Sequence, residues 1–383
     1  MLLNFMILRN FFITAFIVLI TVSCGQPDQE WNSYGLDLSN QRFSRITQIN
    51  KTNVETLEMA WQVQTGVPAT FQSTPIVHEG VMFVSLPFNN VLALDAKTGN
   101  EIWRYEHDLN PNWKLCCGPS NRGVALQGKQ LFFGTVDARL ISLNIKTGEK
   151  IWDINVVKNN VETESISDLD ESDANSDKQI SGGTGVGISM APVVYNGKVI
   201  IGITGVGYGL HVEEEGANTP LGAVVGVSGK YGRSGFLAAY DIHSGQQIWQ
   251  FNTILETGWE GNFNNFIEDG LTLNRDIYHE KATLDKYPNA AQFGGGSAWT
   301  TPAIDKETNT LFFGTGNPSP QMSGETRPGD NLYTVSIVAL DAETGKLKWY
   351  YQQVPHDIWG YDVASPPVLF YAYHDGQVIP AVA

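Results

Sequence analysis

Charge is scarce in this chain of 383 residues. Only 17% of them are Asp, Glu, Lys or Arg, and 24 Lys and Arg stand against 40 Asp and Glu for a net charge of −16. A surface so poor in cations repels phosphate backbones, which excludes nucleic-acid binding as the main task. With 42% hydrophobic residues, global disorder is excluded as well. Cysteine is rare at three, an odd number that in an exported protein leaves one thiol to be accounted for separately. The common nucleotide and hydrolytic motifs are missing. The Gly-rich runs at 182–187 and 202–209 do not fit G-x-G-x-x-G in register and lead into strand pattern, so no helix N-terminus awaits a pyrophosphate and a nicotinamide dehydrogenase is excluded. No H-E-x-x-H, P-loop or G-x-S-x-G occurs, and the seven histidines are scattered.

One apolar run stands alone, at 11–20, after a single basic residue, Arg9, and before Thr21, Val22, Ser23 and Cys24. This predicts a signal peptide over 1–23, a lipid-attachment cysteine at Cys24 and a tether over 24–30. The run is short for a membrane span. With Cys24 carrying lipid, the two remaining cysteines are the adjacent pair Cys116 and Cys117. Gly25 after the cysteine resembles lipoproteins sorted to an outer membrane, so the expected location is the periplasm, anchored to a membrane through Cys24.

What the chain has in abundance is Gly, at 39, and Trp, at 10. Four segments end in one phrase, an alternating strand, a turn closed by Thr-Gly or Ser-Gly, and a second strand opening at Trp. They run over 91–103, 140–152, 237–249 and 338–349, and end at Trp103, Trp152, Trp249 and Trp349. The turn glycines are Gly99, Gly148, Gly245 and Gly345, spaced by 49, 97 and 100 residues. Strand pairs precede the phrases at 73–85, 190–202 and 300–314, each opened by Pro where no ladder donor is lost. A period near fifty predicts an all-β fold, a β-propeller of four-stranded blades over 31–383. The four tryptophans are expected to pack between blades. Two insertions break the period: 158–180, an acidic solvated loop without ion-binding spacing, and 210–234, rich in Gly and Glu.

Cys116 and Cys117 are the most unusual local feature. Adjacent Cα atoms lie closer than the usual disulfide span, so a bond between them is strained, and a pair of buried thiols is the other reading. Their surroundings tip the balance. Cys116-Cys117-Gly-Pro-Ser-Asn-Arg122-Gly, the Gly294-Gly295-Gly296 run up to Trp299, Gly314-Thr-Gly-Asn317-Pro-Ser-Pro, Arg327-Pro-Gly-Asp-Asn-Leu-Tyr-Thr and Pro355-His-Asp-Ile-Trp359 resemble the pyrroloquinoline-quinone (PQQ) dependent alcohol dehydrogenases. The resemblance runs from about residue 31 to the end of the chain.

That resemblance implies an eight-bladed propeller with PQQ on its axis, of which four to five blades are present here. Cys116 and Cys117 correspond to a vicinal disulfide on one face of the quinone, and Trp299 to the indole on the other. The glycines before Trp299 make room for a close approach. Arg122 matches an arginine whose fork suits the cofactor's carboxylates. Ser189, Thr204, Gly205, Val206 and Ser297 fall on further cofactor-binding positions. The family's metal is held by Glu, Asn and Asp, of which Asn317 is retained. The Glu position is Gly207, or Lys230 in a second alignment, and the Asp position is Gly360. Asp362 coincides with a carboxylate of lanthanide-using relatives, and is the expected second metal ligand and catalytic base, with Asp357 the alternative base. Another active-site Glu of the family is Gln72 here, while Glu213, Glu214 and Glu215 could supply replacement ligands.

Two functions follow. One is a periplasmic dehydrogenase using PQQ, with a calcium or lanthanide ion if the site still holds one. It would oxidise an alcohol or polyol and pass electrons to a cytochrome c or a quinone. The other is a non-catalytic propeller lipoprotein that has lost the metal. At about fifty residues per blade plus insertions, eight blades need roughly 550 residues, so the chain is expected to be the N-terminal part of a longer protein.

Overall fold

The computed structural model describes residues 30–109, 118–157, 179–213 and 233–383, with backbone alone over 179–184 and 205–213. The signal segment, Cys24, Cys116, Cys117, Lys230, Glu214, Glu215 and most of the two insertions lie outside the described residues.

Four antiparallel sheets follow one another, each a meander of four strands. Blade 1 contains β1 (Ile76–His78), β2 (Val81–Ser85), β3 (Val91–Asp95) and β4 (Glu101–Tyr105). Blade 2 contains β5 (Ala125–Gln127), β6 (Gln130–Gly134), β7 (Arg139–Asn144) and β8 (Lys150–Asn155). Next come β9 (Gln179–Gly187) and, in blade 3, β10 (Val193–Tyr195) and β11 (Lys198–Gly202). The chain then leaves the blade through β12 (Thr204–Glu213), which pairs with β9 in a separate ribbon. It returns as β13 (Phe236–Asp241) and β14 (Gln247–Asn252). Blade 4 contains β15 (Ala303–Asp305), β16 (Thr310–Gly314), β17 (Ser336–Asp341) and β18 (Leu347–Gln352), preceded by a short helix, α1 (Ile277–Thr283). A hairpin of β19 (Leu369–His374) and β20 (Gln377–Val382) begins a fifth unit.

The repeated phrase forms for local reasons. The carboxylate of Asp95 accepts hydrogen bonds from the amides of Lys97 and Thr98 and from the Thr98 hydroxyl, and Gly99 closes the turn on the Asp95 carbonyl at 2.8 Å. Asp241 and Asp341 repeat the arrangement with Ser244 and Thr344, and Asn144 does so with Thr147 through its amide oxygen. These bonds, the side-chain hydroxyl above all, hold the three aspartates below the usual carboxylate range. After each turn the ladder slips once, and the Trp lands opposite a small residue: Ala93, Ser142, Ala239 and Ala339.

The indole then reaches the next blade. Trp103 donates to the Ile145 carbonyl at 3.0 Å and lies on Gly148, where an added Cβ would stand 2.6 Å from the ring. Trp152 donates to Ile242 and covers Gly245; Trp249 covers Gly345 without the hydrogen bond. Trp61 does the same to Gly99 and Ala96, although its own segment pairs with no described strand. Three apolar clusters fill the spaces between successive blades. Trp349 departs from the expected packing: it is 42% exposed, and it covers no turn glycine among the described residues.

Segment 30–42 crosses the first strands. Its carbonyls at Trp31, Leu38 and Ser39 accept from Val77, Ile304 and Leu369. The buried Asn40 amide donates to Thr301, Pro302 and Pro367, joining blade 4 to the fifth unit.

Gly148→Ala and Gly128→Ala separate indole contact from backbone strain, since both glycines have positive φ but Gly128 has open space around it. The first is expected to cost about 2–4 kcal/mol and the second about 1, read from urea midpoints. Equal losses would remove the role given to the Trp103 contact.

Candidate functional site

The segments leading into the first strands are tied to one another around the inner rim. Thr74 donates its amide to the Arg122 carbonyl at 2.9 Å, Arg122 donates to the Ser189 carbonyl at 3.0 Å, and the Thr301 hydroxyl donates to Ala191 at 2.9 Å. Arg122, Ser189 and Trp299 come together there from three blades. The Arg122 guanidinium donates to the Ser189 hydroxyl at 2.9 Å and its carbonyl at 3.2 Å, and its central carbon lies 4.6 Å from the centre of the Trp299 ring. A cation–π contact of this kind contributes roughly 1 kcal/mol and ties the two side chains together. A guanidinium fork, a hydroxyl and an indole thus converge at one place: the fork is of the kind that pairs with carboxylates, and in this structure it covers one face of the indole.

The remaining predicted positions divide. Ser297 is buried, and its carbonyl accepts from Gly316 at 2.8 Å. The Thr204 hydroxyl is engaged by the Gly187 backbone, bridging β9 and β12. Gly205, Val206 and Gly207 lie in β12, and Gln72 is exposed. The glycines before Trp299 do serve a close approach, but to the protein itself: a Cβ at Gly295 would stand 2.7 Å from the Asn317 carbonyl.

Asn317 and Asp362 meet. The Asn317 amide N–H donates to Asp362 Oδ1 at 2.6 Å, and Gly316 must lack a side chain because a Cβ there would stand 2.7 Å from the same oxygen. The Asn317 side chain donates its Nδ2 to the Pro318 carbonyl, and its Oδ1 and Asp362 Oδ2 accept no hydrogen bond from the described residues. Calcium takes six to eight oxygens, and no group of three or more His, Cys, Asp or Glu able to hold a metal exists among the described residues. The described residues therefore do not make a complete cation site. Asp362 is open to solvent on one side, yet the protein around it raises its pKa by desolvation. The Asn317 N–H opposes that rise and the neighbouring Asp357 charge adds to it. Beside it, exposed Trp359 and Tyr361 stack at 5.9 Å and make the approach aromatic.

Sequence reasoning gave no role to Arg327, Arg275 or Glu280 behind this corner, and named Asp357 only as the alternative base. Arg327 is wholly buried, and burial lowers its pKa to about 9. Asp357 accepts the amides of Trp359, Gly360 and Tyr361, and burial still raises its pKa. Arg275 pairs with Glu280 of α1 and with Asp330, both at 2.6 Å. The motifs containing Arg327 and Asp357 were visible in sequence; their contacts, thirty residues apart, were not.

These features define a class: a β-propeller whose site is built from the loops that lead into its blades. A family model described as "PQQ: Glucose/ethanol/alcohol dehydrogenase, beta-propeller domain" matches residues 31–383, and the chain belongs to that family. It is 32% identical over 351 residues to the quinoprotein alcohol dehydrogenase PedH of Pseudomonas putida, covering 91% of this chain and 50% of the relative. It is 34% identical over 347 residues to the quinohemoprotein alcohol dehydrogenase of Comamonas testosteroni, covering 89% and 41%. The crystal structure of the Comamonas testosteroni enzyme matches with a TM-score of 0.69 at 30% identity, over 92% of this chain and 45% of that one. The chain spans about half the length, or less, of these curated relatives.

His356 gives the region a pH signature. Burial and the Arg327 charge push its pKa down to about 4, against an opposing pull from Glu280 and a further push from Arg275. Between about pH 6.5 and 4 the unfolded chain takes up a proton that the folded chain refuses, so stability is full above 6.5 and falls with pH, by up to about 3 kcal/mol. His356→Asn, which suits the positive φ of 52° there, is expected to flatten the urea midpoint against pH between 6.5 and 4.5, above the range where the lowered Glu280 titrates.

Proposed function

We propose that this chain is the PQQ-holding part of a dehydrogenase that oxidises an alcohol or polyol. The observation that carries the reading is the convergence of Arg122, Ser189 and Trp299 at the inner rim. PQQ, when bound, supplies a hydride acceptor. The chain's own residues bind and orient. Arg122 would turn its fork to the ligand's carboxylates, Trp299 would support one face of its rings, and Cys116 and Cys117 are assigned the opposite wall.

Asp362 is the proposed proton acceptor for the substrate hydroxyl. Its Oδ1 is anchored by the Asn317 amide, its Oδ2 accepts nothing from the described residues, and its raised pKa makes it a better base than an ordinary surface carboxylate. Position 360 has no side chain to take this part: it is Gly360, at φ +78°, and a Cβ there would have to displace the end of the Gln321 side chain. Any calcium or lanthanide ion would need ligands beyond Asn317 and Asp362, and none is given a step here. The scaffold reading is favoured by that same shortage of carboxylates; the retained inner-rim group favours the enzyme.

The rest of the proposal follows the sequence. Cys24 carries lipid and holds the domain at a membrane facing the periplasm, and a cytochrome c or a quinone takes the electrons. Exposed Trp349 and the unpaired segment bearing Trp61 suit completion of the ring by further blades.

Titrating the purified protein with PQQ, with calcium or a lanthanide and without either, is expected to quench tryptophan fluorescence saturably. Trp299→Ala and Arg122→Lys should each weaken uptake tenfold or more. Dye-linked oxidation of an alcohol and polyol panel should follow loading and fall by about 10²-fold or more in Asp362→Asn. Uptake without turnover on any substrate would favour the scaffold, and no uptake would refute both cofactor and enzyme.

A further inference from the structure

We propose that Arg327 is a positioning residue for the Asn317 and Asp362 corner. Its guanidinium is fully buried and binds three neutral oxygens from three places in the chain. Nε donates to the Pro320 carbonyl at 2.9 Å, Nη1 to Asn331 Oδ1 at 2.6 Å, and Nη2 to the Asp357 carbonyl. Asn331 returns its own Nδ2 to the Arg327 carbonyl at 2.9 Å, so the fork has one orientation.

The contacts close a circuit. Pro320 lies three residues after Asn317. Asp357 lies five residues before Asp362, and its carboxylate gathers the amides of Trp359, Gly360 and Tyr361 into a turn that delivers Asp362. Asp362 Oδ1 then accepts the Asn317 amide. Starting from Arg327, the path runs through Asp357, the turn, Asp362, Asn317 and Pro320 back to Arg327. Support comes from outside the circuit: Glu280 of α1 accepts the Gly329 amide at 2.9 Å, and His356 Nδ1 bonds the Gly329 carbonyl at 2.7 Å.

Stability alone is a poor reason for this arginine. A buried cation held by carbonyl and amide oxygens, with no direct ion pair among the described residues, suffers desolvation, and a well-packed apolar side chain in such a place is often as stable or more so. A planar fork that reaches three loops at fixed angles gives what an apolar residue cannot: a set distance between the two segments bearing the polar groups of the site. The ordering of the corner is a claim about the protein by itself. Its effect on turnover rests on the proposed function.

The test is Arg327→Lys, which keeps the charge but loses the fork, followed by hydrogen exchange without cofactor. The amides of residues 359–362 and of Asn317 are expected to exchange tenfold or more faster, with strands β6 and β7 unchanged. In PQQ-loaded protein, kcat should fall tenfold or more while PQQ affinity stays within about threefold, because Arg122 and Trp299 belong to other segments. Unchanged exchange at 359–362 would overturn the proposal, as would parallel losses of affinity and kcat. Should the lysine variant fail to fold, Asn331→Gly, which tolerates the positive φ of 61° and removes one acceptor, is expected to accelerate the same amides less strongly; no acceleration there also overturns it. If the unaltered protein takes up no PQQ, the proposed function fails and the exchange measurement alone decides this one.

Discussion

An indole lying on the turn glycine of the next blade is the contact on which the rest of this molecule depends. It works only if the glycine has no side chain, if its turn is held by an upstream Asp or Asn, and if the strand behind the Trp offers a small residue opposite it. Trp103 on Gly148 meets all three conditions, with Asn144 holding the turn and Ala93 behind the ring. Each such contact sets the angle between two sheets, and the apolar clusters between blades then fill the space left.

Fixing those angles brings the leading loops together. Blades successive in sequence place residues 74, 122, 189 and 299 around one rim, where backbone hydrogen bonds join the first three and the Arg122 side chain reaches Ser189 and Trp299. The site therefore needs no loop long enough to cross the molecule. Its second half, the Asn317 and Asp362 corner, is more loosely placed by the blades. It relies instead on buried polar groups contributed by the stretch before blade 4, where Arg275 and Glu280 brace Asp330 and Gly329.

Much of this was legible in the sequence, for identifiable reasons. The turn phrase is local: a capping carboxylate, a hydroxyl, a positive φ and an aromatic lie within nine residues, so pattern alone reveals four blades. The β9 and β12 ribbon was not legible as strand pairing, because its glycines carry no alternation and its partners lie either side of β10 and β11. The short helix α1 gave no apolar period to detect. Trp349 shows the limit of a repeat argument: its sequence matches the other three, while its burial depends on a neighbour outside the phrase. Within the site, Arg122, Ser189, Trp299, Asn317 and Asp362 were read from resemblance and do come together in two groups. Thr204 was read as a ligand residue but spends its hydroxyl on Gly187, a contact seventeen residues away that no motif records. Arg327 stood in a quoted motif without a role, since its three acceptors come from positions 320, 331 and 357.

The central claim is that the inner rim at Arg122, Ser189 and Trp299 is a seat for PQQ. A crystal structure of the chain with PQQ tests it most directly. The account predicts a planar tricyclic density stacked on the Trp299 indole, with carboxylates within hydrogen-bonding distance of the Arg122 fork and the Ser189 hydroxyl. PQQ bound elsewhere, or an inner rim in which Arg122 still covers the indole at saturating PQQ, would contradict it.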